Sequence, residues 1–117
     1  MRHHKKGRIL KKTPEQRREL LRSLSRHLIL RGSIMTTEAR AKEMRPYLER
    51  MVTYAKKGTL SGRRMLLASF KNDSQVVRKL MQDIAPKYKE RAGGYLRVIK
   101  TSPRKSDSAR RAVISFV

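Results

Sequence analysis

Arg91, Arg97 and Lys100 surround a glycine pair, Gly93 and Gly94, and a tyrosine, Tyr95, in the stretch RAGGYLRVIK. Backbone without side chains lets a partner approach closely, or lets the chain take positive φ. Neighbouring guanidinium groups add positive charge, so the chemistry on offer is contact with phosphate. Tyr95 brings a ring that can stack and a hydroxyl that can donate. The same residues also read as a tight turn from a helix end into a strand with ordinary basic neighbours, and the two readings are compatible. A second group opens the chain: MRHHKKGRILKK holds six lysines and arginines, two histidines and no acid. These are Arg2, Lys5, Lys6, Arg8, Lys11 and Lys12, with His3 and Gly7 among them. Side chains this polar cannot bury enough apolar surface to offset the entropy of ordering the backbone. Such an arm is either disordered or ordered by something outside the chain.

Catalysis finds little support. Glu15 and Glu38 fall in first helical turns, where they complement the macrodipole. Asp73 is a capping candidate, Asp83 stands four residues before Lys87, and only Asp107 lacks such a role. No acidic pair has a histidine or metal-ligand neighbour, so acid–base and two-metal chemistry are unsupported. His27 lies late in the first helical segment, where an imidazole suits the C-terminal carbonyls. His3 and His4 lack further ligands nearby and fit RNA groups better than a metal. The methionines, Met51, Met65 and Met81 among them, read as gap-filling core. No enzyme and no cofactor are expected.

The charge points the same way. Thirty-one basic residues against nine acidic ones leave a formal charge of +22 on 117 residues. That self-repulsion destabilises a compact free chain and calls for a polyanion, nucleic acid before an anionic membrane. Residues 1–31 carry eleven bases and two acids, and residues 87–111 nine bases and two acids. Residues 32–86 carry eleven bases and five acids, so the two ends look like the polyanion-facing parts. There is no cysteine, hence no disulfide framework or zinc ribbon. No apolar run approaches the ~20 residues needed to span a bilayer, and no secretory signal is visible. The chain reads as cytoplasmic, or as the mature form of an organellar protein.

Seven elements must position these groups. TPEQRRELLRSLSRHLILRG predicts a helix capped by Thr13, with Pro14 in its first turn and Gln16 completing a capping box. Leu20, Leu21, Leu24 and Leu28 form its apolar stripe, with Arg18, Arg22 and Arg26 in a row on the opposite face. Gly32 ends it. SIMTT reads as a strand. A longer helix then runs from Thr36 or Thr37 to Gly58, carrying Met44, Tyr47, Leu48, Met51, Val52 and Ala55 inward. Pro46 within it predicts a kink or a restart. SGRRMLLASF predicts a short helix with Met65, Leu66 and Phe70 inward and Arg63 and Arg64 outward. NDSQVVRKLMQDIA predicts another, capped by Asn72 or Asp73 and stopped by Pro86. YLRVIKT and AVISFV are β-rich and predict an antiparallel pair. With SIMTT they make a three-stranded sheet under helices on one face. The fold class is α+β in two layers: about four helices on a small sheet, with a basic N-terminal arm at residues 1–12 and a single domain at 13–117.

Taken together, MRHHKKGR, RGSIMTTEARAKEMRPYLERMVTYAKKG, the Arg63 and Arg64 pair, and RAGGYLRVIKTSPRKSD resemble the ribosomal protein L17 family of the bacterial-type large subunit. The likeness runs along the whole chain. It implies an α/β domain with a basic extension, embedded against large-subunit rRNA near the polypeptide exit side. By position it assigns RNA-facing roles to Arg2, His3, Lys5, Gly7 and Arg8, and to Arg63, Arg64, Arg91, Gly93, Gly94, Tyr95 and Arg97. Charge and position add Lys6, Lys11, Lys12, Arg18, Arg22 and Lys100. Leu96, Ser106, Arg110 and Arg111 depart from the family pattern, so the contacts of the 102–111 loop are not carried over. The expected partners are large-subunit rRNA and neighbouring ribosomal proteins, with no membrane, small-molecule substrate or obligate homo-oligomer. A DNA-binding architectural protein is the competing reading. It lacks support from any helix-turn-helix, zinc finger or dimerising heptad, and the bases are spread rather than gathered on one element. A membrane-surface module would need an aromatic-basic amphipathic helix, and aromatics are only 5%.

Overall fold

The computed structural model describes residues 12–117; the expectations for Arg2, His3, Lys5, Lys6, Gly7, Arg8 and Lys11 lie outside the described residues. Helix α1 (Pro14–Arg31) begins as its sequence dictates. The Thr13 hydroxyl accepts from Gln16 N, and the Gln16 side chain accepts from Thr13 N, both at 3.2 Å. Gly32 closes the helix in the left-handed region at φ 87°. Strand β1 (Ser33–Thr37) passes directly into α2 (Glu38–Lys57), which Thr37 caps. Pro46 causes no restart: it sits exposed inside one continuous helix, where it removes a single hydrogen bond on the solvent side. Helix α3 (Leu60–Ser69) and helix α4 (Ser74–Lys79) follow, capped by Thr59 and Asp73.

Two helical expectations need correcting. Met65 does not face the core; it is exposed, and the inward positions of α3 are Gly62, Leu66 and Phe70. The cause is Gly62, where a Cβ would stand 2.9 Å from the Tyr54 carbonyl oxygen. Close approach there fixes which side of α3 meets α2 and turns Met65 outward. The helix expected over 72–85 is also not uniform. After Lys79 it widens into a π turn (Leu80–Ile84), with Ala85 N donating to Leu80 O, and tightens into a 3₁₀ turn (Ala85–Tyr88) that contains Pro86.

Strands β2 (Leu96–Lys100) and β3 (Arg111–Phe116) pair antiparallel, and β1 pairs antiparallel with the other side of β3, giving the order β1-β3-β2. The register places Ile34, Ile114 and Val98 across from one another, and Met35, Val113 and Ile99 likewise. The first row faces the helices and the second faces away, with Met35 and Ile99 exposed. The core between the layers joins Leu28 and Ile29 of α1 to Met44, Leu48 and Val52 of α2, Leu66, Val76, Val77 and Leu80, with Ile114 rising from the sheet. It is mostly aliphatic and small, with Phe70, Tyr88 and Tyr95 as its buried rings.

Candidate nucleic-acid interface

The segment between the 3₁₀ turn and β2 is built around Tyr95. Its ring is 1% exposed, so it cannot offer a face to a base, and the expectation of stacking is corrected. The side chain is instead an internal post. Its hydroxyl accepts from Lys56 Nζ at 2.9 Å and donates to Arg91 O at 3.3 Å. The Lys56 ammonium also donates to Arg91 O and lies 4.9 Å from the Tyr95 ring centroid. Tyr88 packs beside it, the centroids 5.3 Å apart. The loop carrying Arg91 is thus tied at its main chain to a lysine on α2.

Above this post the loop is open. Arg91 Nε donates to Gly93 O at 3.1 Å, and Gly94 takes φ 64°. Among the described residues no atom lies within 4 Å of a Cβ at Gly93, and one at Gly94 meets only the Arg91 side chain at 3.9 Å, so the pair presents bare backbone outward. Arg91, Gly93, Gly94 and Arg97 are all exposed. Lys56 continues the surface into a cleft that it lines with Lys89, Gly58 and Met81. Met81 is shared with the next cleft, where Arg63 and Arg78 meet. The sequence-predicted Arg63 and the Gly-Gly-Tyr segment therefore belong to one basic tract, bridged by Lys56, Arg78 and Lys89. Those three were missed because each sits on a different element, and only the 3.6-residue phase of their helices would have hinted at a common side. Arg64 is exposed on α3 next to Arg63.

Other expected site residues lie elsewhere. Lys100 stands at the far end of β2, where its ammonium is 3.6 Å from Glu38, well away from Gly93. Arg18 is exposed on α1, but Arg22 is half-buried and engaged. Arg22 Nε donates to Ser69 O at 2.7 Å, and its guanidinium pairs with Glu19. Arg26 Nε pairs with Asp73 at 2.8 Å. The arginine row of α1 is thus partly a set of ties to the α3–α4 corner, because that corner exposes a carbonyl and a capping carboxylate within reach. Lys12 is half-buried at the edge of the described residues. Asp107 also has a role the sequence did not reveal: it accepts from Ala109 N at 3.1 Å and pairs with Arg104, shaping the loop between β2 and β3.

Neighbouring charge sets the carboxylates. A hydrogen bond from Lys71 holds Glu19 below the usual carboxylate value, one from Lys42 does the same for Glu38, and one from Arg26 does so for Asp73. Burial pushes the hydroxyls of Tyr47 and Tyr88 up. Among the described residues no cluster of His, Cys, Asp and Glu could hold a metal, and no helix is long and apolar enough to cross a membrane.

A family model described as Ribosomal protein L17 matches residues 20–117. The chain is 48% identical over 117 residues to the Large ribosomal subunit protein bL17 of Fusobacterium nucleatum subsp. nucleatum, covering 100% of both. It is 45% identical over 117 residues to the protein of that name from Gemmatimonas aurantiaca, covering 100% of this chain and 98% of the other. With that of a Hydrogenobaculum species the identity is 46% over 118 residues, at 100% and 99% coverage. The resemblance carried by TTEARAKE and GGY is therefore one of descent along the full length: the chain belongs to the ribosomal protein L17 family.

Proposed function

We propose that this protein is a structural constituent of the large ribosomal subunit that binds and stabilises large-subunit rRNA, supporting subunit assembly and translation in the cytoplasm. The observation that carries the reading is the basic tract from Arg63 through Arg78, Lys89 and Lys56 to Arg91, beside the exposed backbone at Gly93 and Gly94, with Arg97 exposed on the outer face of the sheet. Spread over four elements, it suits a folded RNA surface better than a groove. Tyr95 positions the segment rather than touching RNA. Arg18, Arg64 and Lys100 extend the contact to other sides, as an embedded protein requires.

The N-terminal arm is a second anchor. Arg2, His3, Lys5, Lys6, Gly7, Arg8, Lys11 and Lys12 carry charge and polar groups that crowded phosphates would neutralise and order, releasing counterions as they bind. Neighbouring ribosomal proteins are the remaining partners. The test is sedimentation of tagged protein from a lysate, at moderate and then high salt. Travel with the large subunit that persists at high salt supports the reading, since embedded contacts are poorly screened. Protein that stays at the top, or follows DNA and falls away as salt rises, overturns it. A chain lacking residues 2–12 is expected to fold but to enter particles less well.

A further inference from the structure

A cleft of about 180 Å³ opens on a side of the molecule that the basic tract does not use, between the end of α1, the π turn and the end of β3. Its floor is apolar: Ile29, Ile84, Tyr88 and Phe116. The rings of Tyr88 and Phe116 lie near parallel, 27° apart with centroids at 6.3 Å, and the Tyr88 hydroxyl is held by Val117 O at 2.7 Å. Phe116 is only half-buried, so its ring meets the opening.

The rim is charged. Arg31 and Lys87 are exposed on it and pair with no acid among the described residues. Lys79 reaches the same edge but is engaged, its ammonium donating to Leu30 O at 3.2 Å at the C-terminal end of α1. Among the described residues, Asp83 is the one acid on the rim. It is placed there by the π turn, which inserts an extra residue per turn and so swings Asp83 and Ile84 toward α1; such turns recur at functional sites.

We propose that this cleft receives a single unstacked guanine nucleotide from an RNA strand, a proposal that rests on the RNA-binding function above. The half-buried Phe116 ring is the surface that can meet the face of a base taken out of its stack, and the buried Ile29, Ile84 and Tyr88 back it. Arg31 and Lys87 stand where the flanking phosphates must pass. Asp83 decides which base: guanine alone presents two adjacent N–H donors, N1 and N2, to a carboxylate, whereas uracil offers one. An amino-acid side chain of a neighbouring protein would use the floor but leave the two cations and the carboxylate without partners.

The experiment is a titration of the full chain with 5′-GMP, 5′-UMP and inorganic phosphate, followed by NMR of the Ile29 and Ile84 methyl groups and the Phe116 ring. GMP should move these signals saturably, UMP should do so at higher concentration, and phosphate should leave them in place. Asp83→Asn should weaken GMP at least ~5-fold, the low end for a bidentate contact, and weaken UMP less, since uracil gives the carboxylate a single N–H. Arg31→Ala with Lys87→Ala should weaken both nucleotides alike. Floor signals that ignore GMP, that respond equally to GMP and UMP, or that are indifferent to Asp83→Asn would overturn the proposal. If the protein co-sediments with the large subunit while GMP leaves the floor untouched, this site falls alone. Failure to co-sediment is a failure of the ribosomal reading instead.

Discussion

Removing the Tyr95 hydroxyl should loosen the Gly-Gly segment without emptying the core. In Tyr95→Phe the ring keeps its contact with Tyr88, 5.3 Å away, and with the Lys56 ammonium, 4.9 Å away. Two hydrogen bonds go: the one from Lys56 at 2.9 Å and the longer one to Arg91 O at 3.3 Å. A bond with an ionised donor contributes about 1.5–3 kcal/mol, and the half-exposed Lys56 keeps Arg91 O as a partner, so the low end applies. The expected loss is about 1.5 kcal/mol, or a fall in Tm of roughly 7 °C for a domain of this size. Tyr95→Ala should cost about 4 kcal/mol, because it also leaves a cavity. Thermal and urea melts followed by circular dichroism read both numbers. A cycle with Lys56→Met isolates the pair, with an expected coupling of about 1 kcal/mol. Strict additivity in that cycle, or a Tyr95→Phe melt indistinguishable from the parent, would refute the claim that this triangle holds the loop.

Ser25 is fully buried on α1 and its hydroxyl has no hydrogen-bond partner among the described residues, so Ser25→Ala should stabilise by about 1 kcal/mol, read as a higher urea midpoint. Gly62→Ala normally gains helix propensity of about 1 kcal/mol, but here the new Cβ meets the backbone oxygen of Tyr54 at 2.9 Å. Overpacking wins, and a net loss of about 1–2 kcal/mol is expected in the same melts. Asp73 is held below its ordinary value of 3.8 chiefly by Arg26. A lowered folded-state value means that its stabilisation is present above the ordinary value and lost as pH falls through the lowered one. Asp73→Asn keeps the cap on α4, gives up under about 1 kcal/mol at neutral pH for a largely exposed pair, and should flatten the acid limb of a Tm-against-pH curve.

Features governed by local chemistry were legible in the sequence. The Thr13 capping box, the Gly32 terminus and the SIMTT strand follow from neighbours within a few residues, and the antiparallel pairing of the two C-terminal strands from the single loop that joins them. What escaped depends on packing between distant segments. Met65 fits an inward stripe by spacing alone, and only the contact of Gly62 with α2 rotates it out. Tyr95 looks like a ring for stacking until Lys56, 39 residues away in the chain, is seen to hold its hydroxyl. Arg22 and Arg26 look like a solvated row, yet their partners lie 47 residues on. The π turn has no signature in LMQDI. For the candidate site, residue types were legible and their grouping was not.

The acids show how so basic a chain holds its elements together. Glu43 pairs with Arg17 between α1 and α2, Asp73 with Arg26 between α4 and α1, and Glu38 with Lys100 between α2 and β2. Scarce negative charge is thus placed where it joins elements, and the surplus of 22 positive charges is left to the surface. Salt should then act on folding and on binding with opposite signs. Raising ionic strength from about 0.01 M to 0.15 M shortens the Debye length from about 30 Å to 8 Å. Repulsion among the unpaired surface charges is screened at these distances, whereas ion pairs in contact are screened much less. The Tm of the free protein should therefore rise. Over the same range affinity for rRNA should fall, log K losing about 0.9 per log unit of salt for each phosphate neutralised on a duplex. A Tm that falls with salt would mean that the contact pairs outweigh the net charge, and that the free fold does not carry the electrostatic load that RNA is proposed to relieve.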